Sequence, residues 1–160
     1  MLLCTKCGYK RYTRHNTKLR GACPVCHNWL VPIDGRLSKV VASLTKSNYM
    51  ITSAVCVAYT NTAISEVEII LRFPLVYDRY VFSELPDGFE FCSNDDSPYT
   101  LSYVLNHDGC GSMLYYNRYW NPDEDISLDK ELKQAINELY AWAKDIEDNK
   151  WFVYKLGGWL

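Results

Sequence analysis

Two Cys-x-x-Cys pairs, Cys4/Cys7 and Cys23/Cys26, stand fifteen residues apart, whereas Cys56, Cys92 and Cys110 occur singly. A tight turn presents both sulfurs of such a pair on one side, and two facing turns supply the four soft donors of a tetrahedral zinc site. Gly8, directly after Cys7, gives the first turn a residue free to take positive φ, so that backbone amides point at the thiolates. Two disulfides would use the same residues. Seven cysteines are an odd number for an oxidised scaffold, however, and no secretory leader precedes Cys4, so the expectation is one zinc ion in a reducing cytoplasm. Four protein sulfurs leave no open coordination position, which makes the expected site structural.

Other chemistry-bearing residues do not assemble into a recognisable catalytic pattern. His15, His27 and His107 lack a partner at a diagnostic spacing such as H-E-x-x-H. His27 follows the second pair and is expected in the turn after it, where His tolerates positive φ. His107 and Cys110 read as a hairpin end, and Cys56 and Cys92 as buried, inert thiols inside apolar strands. Asp95-Asp96 and Asp123-Glu124-Asp125 lack the ligand spacing of a calcium loop and read as solvated acidic turns. The chain is therefore expected to act without turnover.

Charge is divided along the chain. Residues 1–46 hold nine Lys or Arg against one acid, Asp34, a net of +8, while residues 47–160 hold eight against eighteen, a net of −10. Tyr12 among Lys10, Arg11 and Arg14 forms a basic, aromatic tip suited to phosphates and a stacked base. At the other pole, Tyr99, Tyr103, Tyr115, Tyr116, Tyr119 and Trp120 lie among Asp95, Asp96, Asp123, Glu124 and Asp125. Large rings and carboxylates together suit an interface with a basic protein, the rings burying area and the acids steering. Protein contact is the leading expectation, through Asp95, Asp96, Tyr99 and Asp123 to Asp125, with nucleic acid at the basic tip as the alternative.

The elements that must position these groups are legible in outline. The knuckles CTKCGY and CPVCHNW, joined by the polar stretch YKRYTRHNTKLRG, resemble a zinc ribbon over residues 1–33, a span too short to fold on an apolar core alone. After Asp34-Gly35, Leu37, Val40, Val41 and Leu44 recur at helical spacing, predicting a helix to about residue 46 with Arg36, Lys39 and Lys46 in solvent. β-rich runs follow at 49–59, 67–73, 79–82, 89–92, 100–105 and 113–119, separated by turn signals, which predicts an antiparallel sheet. Ser127 then opens a helix to about residue 148, and residues 151–160 read as a closing strand or arm. The fold class expected is α+β, a ribbon at 1–33 followed by a body at 34–160. No apolar run approaches the roughly 18 residues of a membrane span.

The arrangement of a ribbon, then LTKSNYMITSAVCV, then a Leu-Pro-Asp-Gly-Phe turn and a last helix ending near Tyr140-Ala141-Trp142-Ala143 resembles small zinc-ribbon proteins of bacteriophages and mobile elements. In those proteins the first body strand often ends in Cys-x-Gly-His. This chain has Cys56-Val57-Ala58-Tyr59, so chemistry depending on that His is not carried over. Size, acidity and a single metal site are further similar to a type II-A anti-CRISPR metalloprotein. That resemblance implies a non-enzymatic inhibitor in the bacterial cytoplasm, bound to a type II RNA-guided nuclease and blocking its DNA loading or cleavage.

Overall fold

The computed structural model of the chain describes residues 1–12, 21–75, 77, 79–82, 84–93 and 111–148. Strands β1 (Leu2–Cys4), β2 (Lys10–Arg11) and β3 (Leu30–Pro32) form a small antiparallel sheet in the order β2-β1-β3. A 3-10 turn, Gly35–Leu37, leads into helix α1 (Ser38–Lys46). Strands β4 (Ser53–Thr60), β5 (Ser65–Phe73), β6 (Phe89–Ser93) and β7 (Ser112–Trp120) form a second antiparallel sheet ordered β4-β5-β7-β6. Helix α2 (Leu128–Asp145) follows and packs beside α1 across β5 and β4, completing an α+β architecture.

Strand β5 shows why one face of the large sheet is covered. Its sequence alternates, with Val67, Ile69, Leu71 and Phe73 fully buried toward the helices and Glu66, Glu68, Ile70 and Arg72 on the outer side. Burying each of those large apolar side chains is worth about 1.5–3 kcal/mol. Helix α1 supplies Val40, Val41 and Leu44 to this core, and α2 supplies Leu132, Ala135, Leu139 and Ala143 at helical spacing.

Caps fix the helix ends. Asp34 Oδ1 accepts from the backbone N–H of Arg36 at 2.9 Å, and Ser127 caps α2. At the end of α1, Asn48 takes φ +65°, its N–H reaches Thr45 O at 3.1 Å, and the Tyr49 N–H reaches Leu44 O at 2.9 Å. This is a Schellman cap, with Asn in the left-handed position usually held by Gly. It uses Tyr49, so the strand expected from residue 49 begins only at Ser53.

The run 79–82, expected as a strand, is a 3-10 turn. It delivers Phe82 into a cluster with Tyr49, Phe73, Tyr77, Phe91 and Trp142, at centroid distances of 4.9–6.0 Å. Ring packing of this kind outweighs the β-propensity of four residues. Helix α2 stops at Asp145, short of residue 148. Arg36 is exposed, as expected, and its guanidinium is held by Asp34 at 2.9 Å while donating to Cys56 O at 3.2 Å. The strand expected at 100–105, the turns at 94–98 and 107–109 and the arm at 151–160 lie outside the described residues. Among the described residues no helix is long and apolar enough to cross a membrane.

The small sheet is docked on the body. Leu3 and Ile33 belong to the main core, with Val31 packed against it, while Leu2, Cys4 and Leu30 face the other way and pack with Cys23. A parallel bridge joins Ile33 to Ala54, and the Asp34 N–H donates to Ala54 O at 2.7 Å.

Candidate metal centre and adjoining surfaces

Cys4 closes β1, Cys7 lies in the turn that follows, and Cys23 and Cys26 bracket the turn before β3, so the register of Cys4 opposite Leu30 brings the two turns face to face. The two turns are near copies. In the first, the Gly8 N–H donates to Cys4 O at 2.9 Å and the Cys4 N–H to Tyr9 O at 2.8 Å. In the second, the His27 N–H donates to Cys23 O at 2.9 Å and the Cys23 N–H to Asn28 O at 2.7 Å. Gly8 has φ +75° and His27 φ +60°, so the same left-handed step follows each pair, taken once by Gly and once by His. That step turns backbone amides toward sulfur, and the Val25 N–H lies 3.4 Å from Cys23 Sγ.

All four sulfurs lie within 4.8 Å of one another, with Cys4 to Cys26 at 3.4 Å and Cys7 to Cys23 at 3.5 Å. A disulfide needs about 2.05 Å, and all four cysteines are free thiols. Sulfurs bound to one tetrahedral ion at about 2.3 Å stand about 3.8 Å apart, close to the spacing here, so the donor set fits a thiophilic cation.

The thiols do not titrate alike. Burial opposes the Cys23 thiolate, but the Cys26 and Val25 amides and the neighbouring thiols outweigh it and bring its pKa down to about 7. At Cys7 the Tyr9 amide favours the thiolate, yet desolvation and contacts with Cys23, Cys26 and Cys4 prevail and push it up to about 12. Four thiolates crowd so much negative charge together that a cation is the natural complement.

Cys56 and Cys92 stand apart from this group. Cys56 is buried in β4 with its thiol pushed up to about 12 by burial first and Asp34 second, which makes it inert. Cys92 lies on the outer face of β6 opposite Met113, and Cys110 is outside the described residues.

Of the residues expected at a protein interface, Asp123, Glu124 and Asp125 are exposed in a turn where the Asp123 N–H donates to Asn121 Oδ1 at 3.0 Å. Asp95, Asp96 and Tyr99 lie outside the described residues, as does Tyr103. Tyr116 and Trp120, read from the sequence as surface rings, are core. Strand pairing sets Tyr116 opposite Ile69 and Phe89, and Trp120 opposite Ser65, on the helix-covered face.

Sequence reasoning missed what the sheet places around the acidic turn. Tyr59, Glu66 and Tyr119 form one cross-strand row on the face turned away from the helices, beside Val57, Glu68 and Asn117 in the next. β7, which carries Tyr119, ends at Trp120, and the exposed Asp123, Glu124 and Asp125 follow in the connection to α2. Burial first, then Glu66, raises the pKa of Glu68. Alternation in β5 identified the outward Glu residues, but strand order was needed to set Tyr59 and Tyr119 on either side of Glu66.

At the basic pole, Lys10 and Arg11 form β2, Tyr12 beside them is 80% exposed, and Arg14 is outside the described residues. Comparison with protein families, with characterised proteins and with solved structures finds no match to this chain.

Proposed function

We propose that the chain is a zinc-ribbon protein that acts by binding a macromolecule. The observation that carries this reading is the closed set of four sulfurs, Cys4, Cys7, Cys23 and Cys26, within 4.8 Å of one another. Zinc matches four thiolates presented by two amide-rich turns, and with four protein ligands it offers no position to substrate or water. The ion's role is to hold the small sheet, whose own apolar cluster is limited to Leu2, Cys4, Cys23 and Leu30 with Tyr9 and Cys26 beside them. Reduced thiolates of this kind belong in a reducing compartment, the bacterial cytoplasm.

The partner is a basic protein, met by the surface that runs from Tyr59, Glu66 and Tyr119 to Asp123, Glu124 and Asp125. Tyrosines contribute buried area at low entropic cost, and the carboxylates favour a positively charged channel. The resemblance to phage zinc-ribbon proteins identifies that partner as a type II CRISPR effector nuclease, whose DNA loading or cleavage the bound protein blocks.

A reconstituted cleavage reaction with guide RNA, nuclease and target DNA tests this reading. Cleavage should fall as the protein approaches one equivalent of nuclease, with the protein recovered unchanged. Undiminished cleavage by several type II nucleases at large molar excess would remove the inhibitor assignment and leave the zinc-ribbon binding module.

A further inference from the structure

A cleft of about 450 Å³ separates the first cysteine turn from α1. Its helix wall consists of Ser38, Lys39, Ala42, Thr45 and Lys46, a stripe at helical spacing opposite the buried Val40, Val41 and Leu44. The facing wall comes from the ribbon and includes Lys6 and Lys10. Four lysines line this cleft with no Asp or Glu among its walls, and none of the four is ion-paired among the described residues. The Thr45 hydroxyl, in the same wall, is buried and has no hydrogen-bond partner among the described residues.

Four lysines at one opening outweigh the charge of the thiolate centre whose Cys4 shares the wall, and they make the cleft attractive to an anion. Two large rings then distinguish the kind of phosphate. Tyr12 is 80% exposed and Trp29 73% exposed, both on the ribbon. Leu3 pairs with Lys10 on one side and Val31 on the other, and Trp29, bridged to Ala22 and two residues before Val31, falls by alternation on the same face of the small sheet as Leu3 and Lys10. Solvent-exposed indole and phenol on the ribbon that also supplies Lys6 and Lys10 match a chain of phosphates that carries flat bases.

We propose that this cleft binds single-stranded nucleic acid, with Lys6, Lys10, Lys39 and Lys46 on the phosphodiester backbone and Trp29 and Tyr12 stacking on bases. The cleft admits one strand's backbone, and the rings require bases that are free of a duplex. This site lies on the basic pole, separate from the acidic surface proposed to meet a protein.

The test uses the full, zinc-loaded chain, because the cleft shares a wall with the first cysteine turn. A labelled single strand of about 12 nucleotides is titrated by fluorescence anisotropy at about 50 and about 200 mM salt. Affinity should fall steeply with salt, and a matched duplex should bind at least tenfold more weakly. The double variant Lys39→Glu/Lys46→Glu should lose at least tenfold in affinity and flatten the salt slope by about 1.4, the share of two phosphate contacts on a single strand. Trp29→Ala should weaken binding by about fivefold or more. Lys130→Glu/Lys133→Glu, on the exposed side of α2, should leave affinity unchanged. Zinc content and melting temperature establish that each variant is folded.

The proposal is overturned by no binding at about 50 mM salt, by equal losses in the α2 variant, or by duplex binding as tight as the single strand. An unaltered Trp29→Ala together with equal competition by polyphosphate reassigns the cleft to free oligophosphate, and equal competition by polyglutamate reassigns it to an acidic peptide. None of these results depends on nuclease inhibition, so the two readings fail separately.

Discussion

Gly88 and Tyr116 are fitted against each other: a Cβ at Gly88 would lie 2.9 Å from Tyr116 Cε2 and 3.2 Å from Cδ2. Gly88 also has φ +78°, in the turn where the Phe89 N–H donates to Pro86 O at 3.0 Å. The ring cannot move aside freely, since its hydroxyl donates to Glu131 Oε1 at 2.6 Å and its face packs 5.0 Å from Phe89. Gly88→Ala therefore incurs both the left-handed penalty, about 1–2 kcal/mol, and an overpacking penalty of about 1–3 kcal/mol. Urea unfolding should show a loss of at least about 2 kcal/mol. A smaller loss would mean that the Tyr116 ring is not fixed.

Glu131 ties that ring to the start of α2 and also pairs with Arg118 at 2.7 Å. Burial opposes its carboxylate, but the Tyr116 and Arg118 hydrogen bonds and the Arg118 charge outweigh burial and hold its pKa below the usual value. A carboxyl depressed on folding stabilises the protein above its unfolded pKa, near 4.3, and the contribution is lost as pH falls through the lower folded value. Glu131→Gln keeps an acceptor for Tyr116 and removes the charge. It should cost about 1 kcal/mol at neutral pH, discounted for the half-exposed Arg118, and the difference from the parent should close in acid. Melting curves across the carboxylate range give the comparison, and a pH-independent difference would place the effect elsewhere.

Local signals and long-range pairing contributed differently to what the sequence disclosed. The cysteine spacing, the alternation of Val67, Ile69, Leu71 and Phe73, and the helical stripe of Leu132, Ala135 and Leu139 are each local, and each appears in the structure. Some of the six rings had to be core by alternation, but that Tyr116 and Trp120 are among them depends on which residue lies opposite, and Ile69 is 47 positions before Tyr116. The strand expected at 79–82 failed for a related reason. A short aromatic run has no period of its own, and Phe82 is positioned by five rings drawn from four other parts of the chain. The lysine cleft was illegible too, because Lys6 and Lys46 meet only when the ribbon docks on α1.

The paired turns make unequal predictions for equivalent positions. Gly8→Ala places a Cβ at φ +75°, where space is open, so only the conformational penalty of about 1–2 kcal/mol applies. His27→Gly relieves that penalty at φ +60° and should leave stability unchanged or raise it by up to about 1 kcal/mol. Zinc content should be unaltered in both. Loss of metal in His27→Gly would mean that the imidazole, not a thiolate, completes the site.

Metal analysis separates the four clustered thiols from the rest. Purified protein should carry about one zinc per chain, and Ser at Cys4, Cys7, Cys23 or Cys26 should abolish stoichiometric binding and loosen the small sheet. Ser at Cys56, in the middle of β4, or at Cys92, on β6, should leave zinc unchanged. The same holds for Cys110 on the single-site assignment. A fall in metal at any of these three would mean that the ligand set is wrong.

Charge reversal distinguishes the two poles in partner binding. Glu66 stands between Tyr59 and Tyr119, the acidic turn Asp123 to Asp125 follows β7 in the chain, and on the proposed function a basic partner meets both. Exposed carboxylates act on such a partner over a screening length of about 8–10 Å, and affinity for the nuclease should fall with added salt. Reversal of Asp123, Glu124 and Asp125 to Lys should lower that affinity about tenfold or more, chiefly through the association rate. Reversal of Asp95 and Asp96 should act in the same direction. Lys10, Arg11 and Arg14 replaced by Ala should have little effect on nuclease binding while weakening the single-stranded oligonucleotide. Biolayer interferometry of each variant against the guide-loaded nuclease reads both rates. The opposite ranking, with the basic residues dominant and the acidic turn silent, would transfer partner recognition to the cleft and make nucleic acid the shared ligand.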